Sequence, residues 1–451
     1  MIWIEFAILL VAILIGSRIK GVGLGVMGMI GMMIFTLGFH MQPADPPVEV
    51  LLIILCVVST AAGLQAAGGM DYLVTVAEKI LRRKPSQIIF LGPLATYSFT
   101  LFAGTSHINY SILPIIAEVA TKSRIRPERP LSISVIASHL ALTASPVSAA
   151  TATMVLLMRD YAGLELIDVL KICIPATLVG IFAGMLSVLK MGKDLDKDPV
   201  FLEKMKDPAF AAQLDADTSG VKKELKPGAK LAVLLFGLGV LTIILIGSFP
   251  NLLPNFADVD GFQPNLVVGG DGRIRMAAMI QMVMLSVLAC IIIFCKTSAM
   301  EVAKASLFSA GAQAAISVLG VVWMSATFMN TNEAVIERSM SVIVQDHPWM
   351  FAFALFFLCT LLFSQAATTR ALMPLGISLG IAAPHLVAMF PAANGDFVLP
   401  GYPTLLAAIE FDRTGSTRVG KYLINHSFML PGLVSVSVAV ATGFLLAAIL
   451  L

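Results

Sequence analysis

Apolar runs long enough to cross a bilayer recur from one end of the chain to the other, and they leave few folds open. A helix needs about 20 apolar residues to cross the hydrocarbon core. The 451 residues are 58% hydrophobic and only 13% charged, a composition typical of proteins with many membrane spans. Because lipid cannot satisfy backbone N–H and C=O groups, runs of this length must be helical. The sequence therefore predicts an all-α polytopic membrane protein.

The charge balance excludes a nucleic-acid partner. The net charge of +2 is a small difference between 30 basic and 28 acidic side chains. The basic side chains lie in short loops between apolar runs rather than in one patch, which is typical of a protein whose main partner is the lipid bilayer.

Apolar length and charged interruptions divide the chain into spans, two long apolar blocks and one hydrophilic linker. In chain order the segments are 2–17, 22–40, 48–66, the block 87–120, a broken span 131–158, a span 167–190, the linker 191–229, then 230–249, 275–295, 304–328, the block 349–383, a broken span 384–410 and a last span 427–450.

Lysine and arginine in the loops predict the orientation, since such residues accumulate on the cytoplasmic side. The basic clusters are Arg18/Lys20, Arg82–Lys84, Lys122–Arg129, the lysines from Lys190 to Lys230, Lys296/Lys304 and Arg413–Lys421. The opposite loops hold only Arg159, Arg273, Arg275 and Arg338. The two groups fall on opposite faces only if both long blocks return to the side they entered. Each block is then a re-entrant hairpin, with legs of about 14–17 residues that are too short to span alone. Both termini are predicted to be periplasmic and the linker cytoplasmic.

The linker separates two halves that match in kind. Residues 1–190 and 230–451 each contain three plain spans, an amphipathic piece ending in proline, a hairpin, a broken span and a final span. The first hairpin opens to the cytoplasm and the second to the outside, so the halves run in opposite directions. An inverted-topology repeat of this kind is typical of transporters that work by alternating access.

The first broken span carries proline in the middle of an apolar run. Its sequence, ALTASPVSAATATMVLL from Ala141 to Leu157, places Ser145-Pro146 where an unsatisfied backbone group is most costly. Irregular backbone at this depth is tolerated only when it is buried in protein or lines a wet cavity. The N-terminal end of a half-helix carries a partial positive charge and suits an anion such as a carboxylate. Pro400, Gly401 and Pro403 predict a matching break in the second half.

One such proline is usually only a kink, and one cluster of small residues is usually helix packing. Two breaks and two hairpin tips in the same order favour a site for a small anion near the midplane, where all four converge. The candidate substrate-binding residues are Gly104, Thr105, Ser106, His107, Asn109, Thr143, Ser145, Pro146, Ser148, Gln365, Thr368, Thr369, Arg370, Tyr402, Pro403 and Thr404. Most of them would donate hydrogen bonds to the anion.

Arg370 is the only charged residue in either hairpin tip. An ionisable group at this depth is functional by default, and a guanidinium suits a carboxylate bidentately. The alternative is a structural pair with an acid such as Glu410. His107 could contact substrate or relay a proton. We interpret His139 as a packing residue, as a lone histidine in a membrane helix usually is.

No metalloprotease, nucleophile-elbow, P-loop or dinucleotide motif is present in the sequence. We therefore predict a protein that is not an enzyme and that uses no cofactor or metal. Without a P-loop, any transport must draw on gradients or exchange.

Several long strings resemble the anaerobic four-carbon dicarboxylate transporters, the Dcu family. They are GTSHINYSILP, IRPERPLS, TASPVSAA, SQAATTRALMP, LPGYPTLLAA and EFDRTGSTRVGK, and the resemblance runs over nearly the whole chain. It looks closest to the DcuA-type branch of that family.

The resemblance implies a bacterial inner-membrane antiporter that takes up fumarate, malate or aspartate and exports succinate during anaerobic respiration. It also implies a scaffold and a transport domain, often in a homodimer, with elevator-like movement. Three alternatives remain: a symporter coupled to sodium or protons, a channel, and a receptor that senses dicarboxylates for a partner kinase.

Overall fold

The fold is seen in a computed structural model. The structure describes residues 2–19, 22–46, 48–106, 109–208, 210, 225–248, 252–257, 259, 261–265, 267–270, 272–309, 311–313, 315–316, 319–320, 323–328, 330–332, 347–399, 402–420 and 425–451. Within them the chain is helical, and its only β-structure consists of isolated bridges such as Asn255 with Arg273.

The described residues of the first half form nine α-helices, and a short one follows in the linker. They are α1 (Ile2–Arg18), α2 (Gly23–Met33, extended by a π-helix over Ile34–Gly38), α3 (Val48–Ala66), α4 (Gly69–Arg83), α5 (Ile88–Ala103), α6 (Asn109–Lys122), α7 (Glu128–Leu142), α8 (Ala149–Ala162), α9 (Leu166–Val188) and α10 (Pro199–Lys204).

The described part of the second half contains a further series. Its helices are α11 (Ala229–Ser248), α12 (Met276–Phe294), α13 (Ala299–Lys304), α14 (Phe351–Leu362), α15 (Gln365–Ser378), α16 (Ala383–Met389), α17 (Pro403–Phe411) and α18 (Met429–Leu450). The described residues between 306 and 328, in the predicted span 304–328, are also helical.

These helices confirm an all-α polytopic membrane protein. Among the described residues five helices are long and apolar enough to cross a membrane: Pro85–Ala103, Leu166–Val188, Ala229–Ile246, Ala277–Phe294 and Met429–Leu450. A sixth span is possible if α3 and α4, bent by 69° at their junction, count as one. The side chains of Leu234, Leu238, Leu241 and Leu245 form an exposed apolar stripe on α11, as expected for a lipid-facing helix.

The leg that leads into the first hairpin tip begins with a short turn of 3₁₀-helix. The segment Pro85–Ala103 has 19 residues, counting one turn of 3₁₀-helix before α5, and this length could cross a membrane. α5 itself has 16 residues, within the predicted 14–17, and only the added turn at Pro85 brings the leg to a length that could cross a membrane. The second hairpin has shorter legs, with 12 residues in α14 and 14 in α15.

The helices pack in two sets. The first helix set comprises α1–α4 and α11–α13, in which α3 lies against α12 and α1 against α2. The second helix set comprises α5–α9 and α14–α18, in which α9 runs along α18, α5 along α7, and α15 along α8. The second helix set therefore contains both predicted hairpins and both predicted broken spans. It meets the first through α4 with α5 and α6, α3 with α8, and α11 with α9.

Basic clusters that were assigned to one face meet at one end of the second helix set. Arg82 forms a bidentate pair with Glu118, which also binds Lys122. The hydrogen bonds that Arg82 donates to the Glu118 carboxylate raise the pKa of Arg82 above its usual value. The start of the linker lies on the same end, where Arg126 pairs with Asp198 at 2.6 Å. These contacts agree with the placement of the clusters and the linker on one face.

The two amphipathic pieces differ in how much is described. The first forms α4, whose left-handed N-cap at Gly68 turns it away from α3. Most of the second, residues 333–346 with Arg338, lies outside the described residues.

Candidate functional site

The first hairpin tip rests directly on the first break. α5 ends at Gly104, which has the left-handed φ of +67° that terminates a helix. A Cβ on Gly104 would lie 2.8 Å from the carbonyl oxygen of Val147, so only glycine allows this approach. The hydroxyl of Ser145 donates to the carbonyl of Leu101 at 2.6 Å. The tip and the break are therefore one packed unit.

Pro146 lies between the two halves of the first broken span, which ends as α7 at Leu142 and restarts as α8 at Ala149. Ser148 is the N-cap of α8, and its oxygen accepts from the backbone N–H of Thr151 at 3.1 Å. The Ser148 and Thr151 hydroxyls donate back to the carbonyl of Leu142. The break thus satisfies the carbonyl that the interrupted helix leaves free, and the α8 N-terminus points into the protein.

The second tip lies on the second break in a similar way. Ser364 is the N-cap of α15 and accepts from the N–H of Ala367 at 3.2 Å. The next residue, Gln365, donates its side-chain amide to Asn394 at 3.2 Å and to Asp396 at 2.9 Å. Both acceptors lie between α16 and α17, in the predicted second broken span.

The two breaks also contact each other across the repeats. Asn394 donates its side-chain amide to the hydroxyl of Thr143 at 3.3 Å. His139, one turn earlier on α7, lies with Nε2 2.7 Å from the hydroxyl of Thr404 and with Nδ1 3.0 Å from a carboxylate oxygen of Asp396. All four predicted pieces therefore converge in the described structure, and their shared centre is buried.

Tyr402 and Pro403 form the start of α17, with Pro403 in the first turn. The Tyr402 ring packs edge-on against His139 with 4.6 Å between ring centroids. Its hydroxyl is hydrogen-bonded to Ser106 of the first tip. This contact joins the first hairpin to the second break.

Arg370 is buried on α15 and reaches across to α8, where its Nε donates to the hydroxyl of Thr153 at 3.1 Å. Its Nη2 has no hydrogen-bond partner. Within the described residues no carboxylate lies within ion-pair distance, so the pairing with Glu410 is not formed. A buried cation without a counter-ion strongly favours an anion beside it.

Most of the predicted hydroxyl donors are already used by the protein itself. Thr143 donates to Leu140, and Thr368 and Thr369 donate one turn back along α15. Short polar side chains in helices commonly bond their own backbone in this way. Thr105 also has a partner, and His107 lies outside the described residues.

The free hydrogen-bonding capacity lies elsewhere. Buried atoms without a partner occur at Nη2 of Arg370, at both side-chain atoms of Asn109 and at Oδ1 of Asp396. Asn109 begins α6 directly after the first tip. Nδ1 of His139 is likewise without a hydrogen-bond partner among the described residues, so the groups left at this site are one guanidinium, one amide, one carboxylate oxygen and one imidazole nitrogen.

Sequence reasoning missed Asp396 and Asn394, and it interpreted His139 as a packing residue. A signal for Asp396 was present, because it is the only acidic residue between 347 and 409. The rule that selected Arg370, that an intramembrane charge is functional by default, also selects Asp396. For His139 no local signal existed, since its partners lie more than 250 residues away along the chain.

A cavity of ≈ 150 Å³ lies between the two helix sets beside the first tip. Ile54, Val57 and Ala61 of α3 line one wall, and Gly104 and Ser148 line the other. The first tip and the first break therefore face the first helix set.

Electrostatically, the centre of the second helix set favours an anion. Helices α8, α15 and α17 all begin at these breaks and tips, and the N-terminus of each helix carries a partial positive charge. Broken helices of this kind inside a polytopic bundle are typical of membrane transporters, and they define the class to which this protein belongs.

Comparison with known proteins gives the particular family. Residues 1–451 match the family described as "Anaerobic c4-dicarboxylate membrane transporter". The C4-dicarboxylate transporter DcuA of Wolinella succinogenes is 42% identical over 451 residues, which cover all of both chains. The anaerobic C4-dicarboxylate transporter DcuB of Escherichia coli is 38% identical, over 99% of this chain and 98% of that protein. The chain belongs to this family, and its relatives are named as transporters rather than enzymes, as the sequence predicted.

Two solved structures have the same fold. MtrF of Neisseria gonorrhoeae aligns with a TM-score of 0.53 and 12% identity, over 94% of this chain and 85% of its own. The YdaH transporter of Alcanivorax borkumensis aligns with a TM-score of 0.52 and 14% identity, over 99% and 96%.

Proposed function

We propose that this protein exchanges four-carbon dicarboxylates across the bacterial inner membrane, with fumarate, malate or aspartate entering and succinate leaving. The observation that carries the proposal is the buried guanidinium of Arg370, which has a free Nη2 and no carboxylate beside it among the described residues. A relative from Wolinella succinogenes named as a C4-dicarboxylate transporter supports the substrate class.

The two ends of such a substrate need two sets of donors. One carboxylate accepts from Arg370, which presents a charged and geometrically fixed donor. The other carboxylate accepts from Asn109 Nδ2 and from the N–H groups at the start of a half-helix. All of these donors are desolvated, so their interaction with a dianion is stronger than in water.

Alternating access follows from the packing of two helix sets. The second helix set carries the site as one unit, and its first tip and break face α3 across the cavity. Sliding of this unit along the first helix set would carry substrate across the bilayer in an elevator-like motion. The first helix set would then be the static scaffold and the contact surface of a homodimer.

Counterflow in proteoliposomes tests the exchange. Purified protein is reconstituted with succinate inside, and uptake of labelled fumarate is measured in medium with Na⁺ or with K⁺. Uptake that requires internal succinate and is equal in both media supports an exchanger. No uptake under any condition, despite succinate binding to the purified protein, would instead indicate a receptor.

The second candidate is a symporter coupled to Na⁺ or protons. The observation in its favour is the buried Asp396, an acid that a simple anion site does not need. Uptake into vesicles without internal substrate, driven by a Na⁺ or proton gradient, would identify this mechanism.

The predicted orientation is tested separately. We propose that both termini are periplasmic and that the linker 191–229 is cytoplasmic. Single cysteines at Lys197 and Leu451 should react with an impermeant maleimide from opposite sides of the membrane. Labelling of both from the same side would contradict the orientation.

A further inference from the structure

Asp396 is a buried carboxylate that uses only one of its two oxygens. Its side chain is fully buried. Oδ2 accepts from the Gln365 amide at 2.9 Å and lies 3.0 Å from Nδ1 of His139. Oδ1 has no hydrogen-bond partner among the described residues. A carboxylate oxygen that is desolvated and unpaired is strongly disfavoured, so we expect a hydrogen-bond donor to bind this atom.

His139 and Gln365 hold this carboxylate in place. Because a charged carboxylate only accepts, Nδ1 of His139 carries the hydrogen, and Nε2 accepts from the Thr404 hydroxyl at 2.7 Å. The contact with Asp396 is close but not aligned as a linear hydrogen bond. Nε2 therefore has a hydrogen-bond partner, while Nδ1 lies beside the carboxylate without a hydrogen bond, and His139 acts as a positioning residue for Asp396.

Among the described residues, the groups that face Asp396 include no fixed cation. His139 approaches from α7, and Gln365 from α15 is neutral. The Cys359 thiol of α14 and the Tyr402 phenol before α17 lie close enough to interact with its charge. Arg370 does not reach ion-pair distance. A dianion in the neighbouring site would thus meet a carboxylate that nothing in the described protein neutralises fully.

We propose that Oδ1 of Asp396 binds the ammonium group of a 2-amino dicarboxylate, and binds a proton instead when the substrate has no amino group. Asp396 is then the residue that distinguishes amino dicarboxylates from unsubstituted ones. This inference rests on the proposed exchange of dicarboxylates.

The charges of the two kinds of substrate determine how many protons each exchange moves. At neutral pH aspartate carries one net negative charge and succinate carries two, since only the first has an ammonium group. Aspartate with ionised Asp396 and succinate with protonated Asp396 therefore have the same total charge. Exchange of external aspartate for internal succinate moves no net charge, and succinate carries one proton outward with it. Exchange of fumarate for succinate moves one proton each way.

The wild-type protein alone provides the first test. Proteoliposomes loaded with succinate and a pH-sensitive dye are given external aspartate or external fumarate. We expect alkalinisation of the interior by one proton per aspartate taken up, and no change with fumarate. Uptake of aspartate without proton movement overturns the inference while leaving the exchanger intact. Absence of exchange with either substrate removes the proposed function itself.

Asp396→Asn provides the second test, because the amide resembles the protonated acid. In the variant, the rate of aspartate uptake relative to fumarate uptake should fall at least about tenfold compared with wild type. Glu5→Gln removes another buried carboxylate, one that accepts from Asn332 in the first helix set, and should leave the ratio of the two rates unchanged. An equal loss for both substrates in Asp396→Asn, or an unchanged aspartate rate, would contradict the assignment. If the variant does not fold, the proton measurement on wild type decides.

Discussion

Arg370→Met should raise the stability of the substrate-free protein and should reduce the additional stability that bound substrate provides. The guanidinium is buried with Nη2 unpaired and without a counter-ion among the described residues. Its only hydrogen bond to the described residues runs from Nε to the hydroxyl of Thr153. That hydroxyl already donates to the carbonyl of Ala149 at 2.8 Å, so it keeps a partner when the arginine is removed. Methionine keeps much of the aliphatic stem.

These contacts give the expected changes in the free energy of unfolding and in substrate affinity. Loss of the Thr153 hydrogen bond costs about 0.5–1.5 kcal/mol, whereas removal of a buried unsatisfied donor that is charged returns more than about 1–3 kcal/mol. We therefore expect a net gain of about 1–2 kcal/mol in the free energy of unfolding without substrate. A charged hydrogen bond to a substrate carboxylate is worth about 1.5–3 kcal/mol, so affinity should fall about 10- to 150-fold.

Thermal unfolding in detergent, with and without succinate, measures both effects. Succinate at about 100 times its Kd should stabilise the wild type by about 2.7 kcal/mol. In a variant with about 100-fold weaker binding the same concentration should contribute only about 0.4 kcal/mol.

Arg129→Met is the matched control, because Arg129 is a buried arginine whose groups are paired. It binds Asp194 at 2.7 Å and the carbonyls of Met191 and Gly192 at 2.8 Å each. Its removal should lower stability and leave the succinate effect unchanged. If Arg370→Met lowers stability as the control does, or keeps the full succinate effect, then Arg370 is structural and our reasoning fails.

Other predictions concern the breaks and one loop. Gly104→Ala should abolish exchange because the new Cβ meets a carbonyl of the first break, whereas Gly163→Ala, with a similar φ of +68° but open space around it, should only lose about 1–2 kcal/mol of stability. Uptake and unfolding would be measured for both variants. Equal effects on uptake would contradict the steric explanation. Ser148→Ala removes the N-cap of α8, so it should lower the stability by about 1 kcal/mol and slow exchange. Ser298→Ala removes the cap of the short helix α13 and should leave exchange intact. Equal exchange rates in both variants would count against a role for the α8 terminus. Burial lowers the pKa of His426, in the loop before α18, below its ordinary 6.5. The unfolded chain therefore binds more protons than the folded protein as pH falls below about 6.5, and stability should fall there. His426→Gln should reduce this loss between pH 7.5 and 5.5, and an unchanged pH dependence of unfolding would show that another group is responsible.

Local sequence was sufficient to predict much of the fold. Apolar length located α3, α9 and α18 to within a few residues, because each helix has to cover the hydrocarbon core by itself. Pro146 predicted the first break for an equally local reason, since proline cannot complete a helix. The 3₁₀ turn at Pro85 precedes the predicted start of the first hairpin block at residue 87, because proline is well suited to the first turn of a helix.

The sequence by itself determined the membrane class and the first break, and it was sufficient to select Arg370 as a candidate, because each depends on residues close together in the chain. Only the tertiary structure brought His139 to Asp396 and Thr143 to Asn394, across separations of about 250 residues that no local pattern encodes. It also decided which polar groups remain free. Hydroxyls such as Ser145 bond the backbone of a neighbouring element, while Arg370 and Asp396 keep an unpaired atom. The reason is physical, since a buried polar group is satisfied or left free by whatever packs against it, and that packing exists only in the folded protein.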